Sequence, residues 1–346
     1  MKTSLQTFND QLLEKMLQFL WSAWSDLGIS GYSSYKLNVV LDIEALIITT
    51  CFWGRYDQRL FDEMLSWLLA NERFVNIQRL QTILKKELFQ ESRLIAPICS
   101  KLNIKNKTPK WRGLESKLKS QIKMNQSEKV FLFSNNKPLP ITDQIDDSFS
   151  SYGFLRLPFI DREMITQFSE TKVSALQLKL RAFFGIGSRS EIMLALIINK
   201  QISISETADR SYFSWKSIQE ALFEMSLSGI VGHSPSKRER HYYLVSDYWH
   251  KIFLKEPVKS LKQLNFCKFF SAMEILRQKT SASAFSRLSE SSANLEIADH
   301  VNNLLAPLLS AADGVCKIPS PSANIKNYFE EFSSFILTQL DQLFKS

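Results

Sequence analysis

Apolar residues recur along most of this chain at the three- and four-residue spacing of amphipathic helices. Over residues 8–27, Leu12, Leu13, Met16, Leu20 and Trp24 form one stripe, closed by Gly28 and Gly31. Residues 42–53 make a second helical segment, ended by Gly54, and residues 57–70 a third, with Leu60, Phe61, Met64, Leu65 and Leu68. Asn76 is placed to cap a fourth, bearing Ile77, Leu80, Ile83 and Leu84. Asp42 and Glu44, two apart on this pattern, are expected to diverge and not to form a carboxylate pair. Leu114, Leu118 and Ile122 predict a helix over 111–124, and further helical stripes cover 261–276, 295–309 and 325–344, with Pro307 interrupting the second of these.

The rhythm changes over residues 188–245. A helix apolar on nearly every side, 188–199, is followed by the short β-favouring Ile202-Ser203-Ile204. Ser203-Ile204-Ser205-Glu206 has the Ser-x-x-Glu spacing of a capping box, so a second helix starts there and must be short, because Ser214 offers a new cap. From Trp215 onward, Ile218, Ala221, Leu222 and Met225 share one face of a third helix, which Gly229 stops. Ile230-Val231 and Tyr242-Tyr243-Leu244-Val245 then read as two strands around a cationic tip containing Lys237, Arg238 and Arg240. Helix, strand, helix, helix, strand, strand is the order of a winged helix-turn-helix.

On Ser203-Ile204-Ser205-Glu206-Thr207-Ala208, Ser214-Trp215-Lys216-Ser217-Ile218, Ala221-Leu222 and Gly229-Ile230-Val231, the stretch resembles the winged-helix domains of bacterial transcriptional regulators of the MarR and ArsR kind. The likeness covers about a sixth of the chain. Tyr212 stands where a turn glycine is common, Thr207 where leucine is common, and Phe223 at a position often basic. A fainter likeness, carried by Phe184-Gly185-Ile186-Gly187-Ser188-Arg189-Ser190-Glu191, is to abortive-infection-type regulators. The resemblance implies double-stranded DNA as partner and a possible homodimer, since one short helix reads few bases.

A third helix of this kind has the width of the major groove, where Lys donates to guanine and Gln pairs with adenine. Trp215, Lys216, Ser217, Gln219 and Glu220 are therefore the groove candidates; Lys237, Arg238 and Arg240 are the phosphate candidates. The alternative is a protein-interaction scaffold that uses the same domain through Phe223 and Leu227.

Composition adjusts this picture in a few places. The net charge of +8 suits a polyanionic partner, and the segment 101–129 alone carries nine Lys or Arg against Glu115 and Glu128, which fits either phosphates or a solvated helix. The four cysteines are scattered, with no Cys-x-x-Cys, so neither a metal site nor a disulfide framework is expected. Phe184-Gly185-Ile186-Gly187 lacks the third glycine and the preceding strand of a dinucleotide fingerprint, and no Gly-Lys-Ser/Thr loop occurs. Of four histidines, His233 and His241 flank the hairpin, where a pH-sensing or metal pair competes with the milder reading of surface residues near phosphate. No catalytic constellation and no cofactor are expected, and the protein is not read as an enzyme. No apolar run spans a bilayer, and no signal peptide forms, which predicts a cytoplasmic protein without membrane partner. The expected architecture is mainly α: a helical domain over 1–130, a Pro- and Asp-rich connector over 131–165, the winged helix over 166–255 and a helical region over 256–346.

Overall fold

The structure, a computed structural model, describes residues 2–31, 35–37, 39–106, 109–120, 127–234, 240–254, 261, 264–313, 315, 317–321 and 325–344. The chain is mainly helical, and the caps that the sequence offers are the ones used. Helix α1 spans Lys2–Asp26, and α2 (Ile43–Trp53) opens at Asp42, whose carboxylate accepts the Ala45 N–H at 3.1 Å. Asp57 caps α3 (Gln58–Asn71) through the Leu60 N–H, and Asn76 caps α4 (Ile77–Lys86) through the Arg79 N–H. Each cap satisfies a donor that the first helical turn leaves without a partner.

Helix α5 (Ile95–Asn106) has no counterpart among the helices predicted by spacing: Pro97, tolerated near its start, and Lys101 and Lys105 obscure its stripe. Helix α6 is Arg112–Lys119, and residues 121–124 of the predicted 111–124 helix lie outside the described residues. Strand β1 (Glu128–Lys129) runs parallel to β2 (Phe154–Leu155), and the short α7 (Asp147–Ser150) lies between them in sequence.

After α8 (Leu176–Phe184) come α9 (Ser188–Ile198), β3 (Ile202–Ser203), α10 (Ile204–Ser211), α11 (Trp215–Leu227), β4 (Val231–His233) and β5 (His241–Leu244). This αβααββ unit closes with a three-stranded antiparallel sheet in the order β3-β5-β4. Gly187 occupies the cap position of α9, and the Ser190 hydroxyl donates to the Gly187 carbonyl at 2.8 Å. Helix α12 (Tyr248–Phe253) packs on α8. The chain ends in α13 (Phe266–Ser281), α14 (Ser283–Ser286), α15 (Glu290–His300), a π-helical turn at Val301–Leu305, α16 (Ala306–Ser310) and α17 (Tyr328–Phe344). Pro307 sits in the first turn of α16, and the α-helical run of the predicted 295–309 helix is interrupted just before it by the π turn, while the backbone stays helical throughout.

Two cores result. The larger one, here the body, is built from both ends of the chain: α1 packs on α17 and α13, and α13 on α2, around Phe19, Trp24, Trp53, Trp67, Phe270 and Ile336. Phe131, Phe149, Tyr152 and Phe154 from the segment after α6 enter the same core. The C-terminal helices thus complete the N-terminal ones. The second core lies inside the αβααββ unit, where Ile192, Leu196, Ile218, Leu222, Met225 and Val231 meet Leu176 and Leu180 of α8. Among the described residues no helix is long and apolar enough to cross a membrane.

Candidate functional site

Helix α11 is laid on the second core by the face that the sequence spacing picks out: Ile218, Ala221, Leu222 and Met225 are all buried. Ser214 caps it, its hydroxyl accepting the Ser217 N–H at 3.1 Å, and Gly229 ends it with φ of 73°, a left-handed conformation that an L side chain resists. The opposite face is open to solvent. Trp215 is 52% exposed, Phe223 63% and Leu227 73% among the described residues.

Of the groove candidates, Trp215, Lys216, Gln219 and Glu220 lie on this open face, while Ser217 is partly buried by its part in the cap. Lys216 reaches Glu220 at 3.8 Å, and Glu224 one turn further pairs with Arg189 of α9. The open face therefore carries one lysine against two glutamates. Of the phosphate candidates, Arg240 is exposed immediately before β5, and Lys237 and Arg238 lie outside the described residues. Between α11 and the hairpin runs a groove of about 550 Å³, lined by Gln219, Glu220, Phe223, Leu227, His233 and Arg240 among others. The fold thus brings three of the predicted residues, Gln219, Glu220 and Arg240, to one groove.

The structure bears on three further points, of which only the divergence of Asp42 and Glu44 was an expectation. His233 and His241 do not face each other: His233 is in register with Tyr242, and His241 with Ser203 on the other side of β5. Among the described residues no cluster of His, Cys, Asp or Glu is suited to a metal ion. The basic segment 101–129 is mixed: Lys101 pairs with Asp146 at 2.8 Å, Lys105 with Asp161 at 2.5 Å, Lys110 donates to the Glu72 carbonyl and Trp111 is fully buried, while Arg112, Lys117 and Lys119 are exposed, and Lys107 and Lys123 lie outside the described residues. Asp42 and Glu44, expected to diverge, instead share one arginine. Asp42 is the cap residue with extended backbone, so the pair does not follow helical geometry.

That arginine belongs to a buried network which the sequence reading missed. Arg79 Nη1 donates to Asp42 Oδ1 (2.7 Å) and to Glu44, its Nη2 to Asp42 Oδ2, and its Nε to the Ser211 carbonyl at the end of α10 (2.9 Å). Arg181 of α8 binds both Glu44 oxygens (2.6 and 2.8 Å), the Phe74 carbonyl (2.8 Å) and Glu191 of α9 (2.8 Å). Burial pushes the Glu44 carboxyl up, but Arg181 and then Arg79, helped by the Asn76 N–H, hold it down at about 2. The signal for this network was present in the sequence: Glu44 begins a helix that is otherwise almost wholly apolar, and a carboxylate buried there must find a cation.

The network also grips the turn in front of α11. Tyr212, between α10 and α11, has φ of 60°, and it is the residue that stands where the resemblance leads one to expect glycine. Its ring lies under the Arg79 guanidinium, 5.6 Å from ring centroid to charge, and its hydroxyl donates to Glu87 Oε1 at 2.8 Å. Glu87 is paired in turn with Lys268 of α13 at 3.0 Å. The body thus fixes the entry to α11.

No family model, curated protein or solved structure matches the chain. The functional reading therefore stands on the geometry of α11, its hairpin and the body behind them.

Proposed function

We propose that the αβααββ unit is a winged helix that binds double-stranded DNA, and that the chain acts as a transcriptional regulator. The observation that carries this reading is that α11, the third helix, presents its outer face to solvent beside the hairpin, with Gln219 and Arg240 on the groove between them. The N-terminal half of α11, with Trp215, Lys216 and Gln219, enters the major groove, where the positive end of the helix dipole also favours phosphate. Arg240, with Lys237 and Arg238, follows the backbone. Two copies are needed for useful specificity, because thirteen residues of helix contact only a few base pairs.

Retention on mixed-sequence duplex DNA, measured against salt, tests the proposal. The wild type loses affinity as salt rises, and alanine at Lys237, Arg238 and Arg240 lowers the slope by about one unit for each phosphate contact removed. Retention that ignores both salt and these substitutions overturns it.

One observation favours a second reading. Phe223 and Leu227 are exposed on the C-terminal half of α11 beside Glu220 and Glu224, an apolar and acidic surface that suits a protein partner better than a polyanion. Phe223→Lys separates the two: it strengthens DNA retention if α11 faces phosphate and leaves DNA retention absent if the face serves a protein.

A further inference from the structure

A cavity of about 50 Å³ lies where the αβααββ unit meets the body, bounded by α9, α10, the start of α2 and the residues before α13. Its walls are mostly apolar, with Leu194, Ala195, Ile198 and Phe266 among them, and its inner end is formed by Asp42, Glu191, Arg79 and Ser211. We propose that this cavity binds a small primary alkylammonium ion.

Charge sets the sign of the ligand. Among the described residues the network holds three carboxylates, Asp42, Glu44 and Glu191, against two guanidinium groups, Arg79 and Arg181, and so carries one surplus negative charge, with the partly exposed Asp42 at its edge. The rim does not cancel it: Arg210 is divided between Glu206 and Asp313, each at 3.1 Å. Glu87 and Lys268, beyond Tyr212, neutralise each other.

Acceptors are also available. Among the described residues, Asp42 Oδ2 takes a bond only from Arg79, and Glu191 Oε2 only a long one of 3.3 Å from Gln177. A carboxylate oxygen accepts two bonds, so each has a place left for an N–H donor. The second, independent observation is Ser211. It is 6% exposed and lines the cavity, and its hydroxyl has no hydrogen-bond partner among the described residues. A buried hydroxyl without a partner is unfavourable by about 1–3 kcal/mol, which a bound donor removes.

An ammonium group presents three donors, matching Asp42, Glu191 and Ser211. Size sets the rest, since about 50 Å³ takes about four water-sized groups, the length of n-propylammonium, with its alkyl chain on Leu194, Ala195 and Ile198. Because Ser211 and Arg79 also fix the turn before α11, the bound cation changes the setting of α11. That consequence rests on the DNA reading; the binding does not.

Calorimetric titration of the full chain with n-propylammonium chloride, without DNA, tests the site. Saturable one-to-one binding is expected, with no binding of 1-propanol or sodium chloride at the same concentration, and exclusion of n-hexylammonium by its length. Ser211→Ala, which removes no existing hydrogen bond, weakens binding at least about tenfold, and Ala195→Leu, which fills the cavity, abolishes it. Equal binding of propylammonium and propanol, indifference to chain length, or the absence of saturable binding overturns the proposal; the chain-length series keeps the test intact if Ala195→Leu does not fold. Propylammonium binding in a protein that retains no DNA supports the site and removes the DNA reading alone.

Discussion

At the scale of single residues, buried charge decides how this protein responds to pH. Glu44, held at about 2 against an ordinary 4.5, contributes stability that is complete above pH 4.5 and is lost as pH falls toward 2, because the unfolded chain takes up the proton first. Replacing Arg181 by methionine leaves Glu44 and Glu191 short of a cation and is expected to cost about 3–5 kcal/mol in urea unfolding at pH 7. The same substitution should flatten the acid limb of the stability profile. Glu274 behaves in the opposite way. It is fully buried on α13, accepts from the Thr49 hydroxyl (2.9 Å) and the Gln90 N–H (3.0 Å), and has no cation within salt-bridge distance among the described residues, so burial raises its pKa well above 4.5. Above pH 4.5 the unfolded chain releases this proton while the folded one keeps it, and stability declines with rising pH. Glu274→Gln should therefore stabilise the protein at pH 7 by more than about 0.5 kcal/mol, with the gain vanishing near pH 4.5. A gain independent of pH contradicts this assignment. The sequence shows that Glu44 must find a cation but not which one: Glu44 and Arg181 are 137 positions apart, and local spacing carries no record of such a pair.

At the scale of elements, local pattern was enough for most of the candidate site. The buried stripe of α11, its Ser214 cap and its terminating glycine, and the Ser203 cap of α10 all follow from side-chain size and from hydrogen bonding within four residues. The turn between α10 and α11 did not follow, because Tyr212 adopts a left-handed conformation that disfavours a side chain by about 1–2 kcal/mol, and only long-range contacts hold it there. Tyr212→Phe removes the bond to Glu87 and should destabilise the protein by about 1.5–3 kcal/mol, the range for hydrogen bonds to charged groups. Tyr212→Gly relieves the backbone but loses the ring beneath Arg79, and it should be the more destabilising of the two. If glycine proves more stable than phenylalanine, the ring contact contributes less than the backbone strain. The fluorescence of exposed Trp215, two residues before Ser217 on α11, reports whether the helix entry moves in either variant.

At the scale of the molecule, the sequence separates a helical body from a mixed αβ unit, but it does not show how they meet. The meeting surface is polar and specific: Arg181 and Gln177 of α8 reach Glu44 and the Ile43 N–H of α2, Arg79 reaches Ser211, and Asn76 reaches the Ile186 carbonyl. A hinge or a loosely tethered pair of domains would not need three carboxylates and two arginines at its seam. Hydrogen exchange should accordingly protect the α9 and α2 amides to the same degree in the wild type, with protection of α9 falling first in Arg181→Met.

The packing of α1 against α13 and α17 also sets an order of events at the ribosome. The contacts inside the αβααββ unit join residues of one contiguous stretch, so they can form once that stretch has left the exit tunnel. Helices α1 and α2 emerge much earlier and can pack on each other, on α3 and on α4, yet the apolar surface that α13 and α17 cover stays open until those helices have been made. During that interval the first half of the nascent chain is the region that needs a chaperone, and arrested chains lacking α17 should be cleaved by protease in α1 while α9–α11 resist.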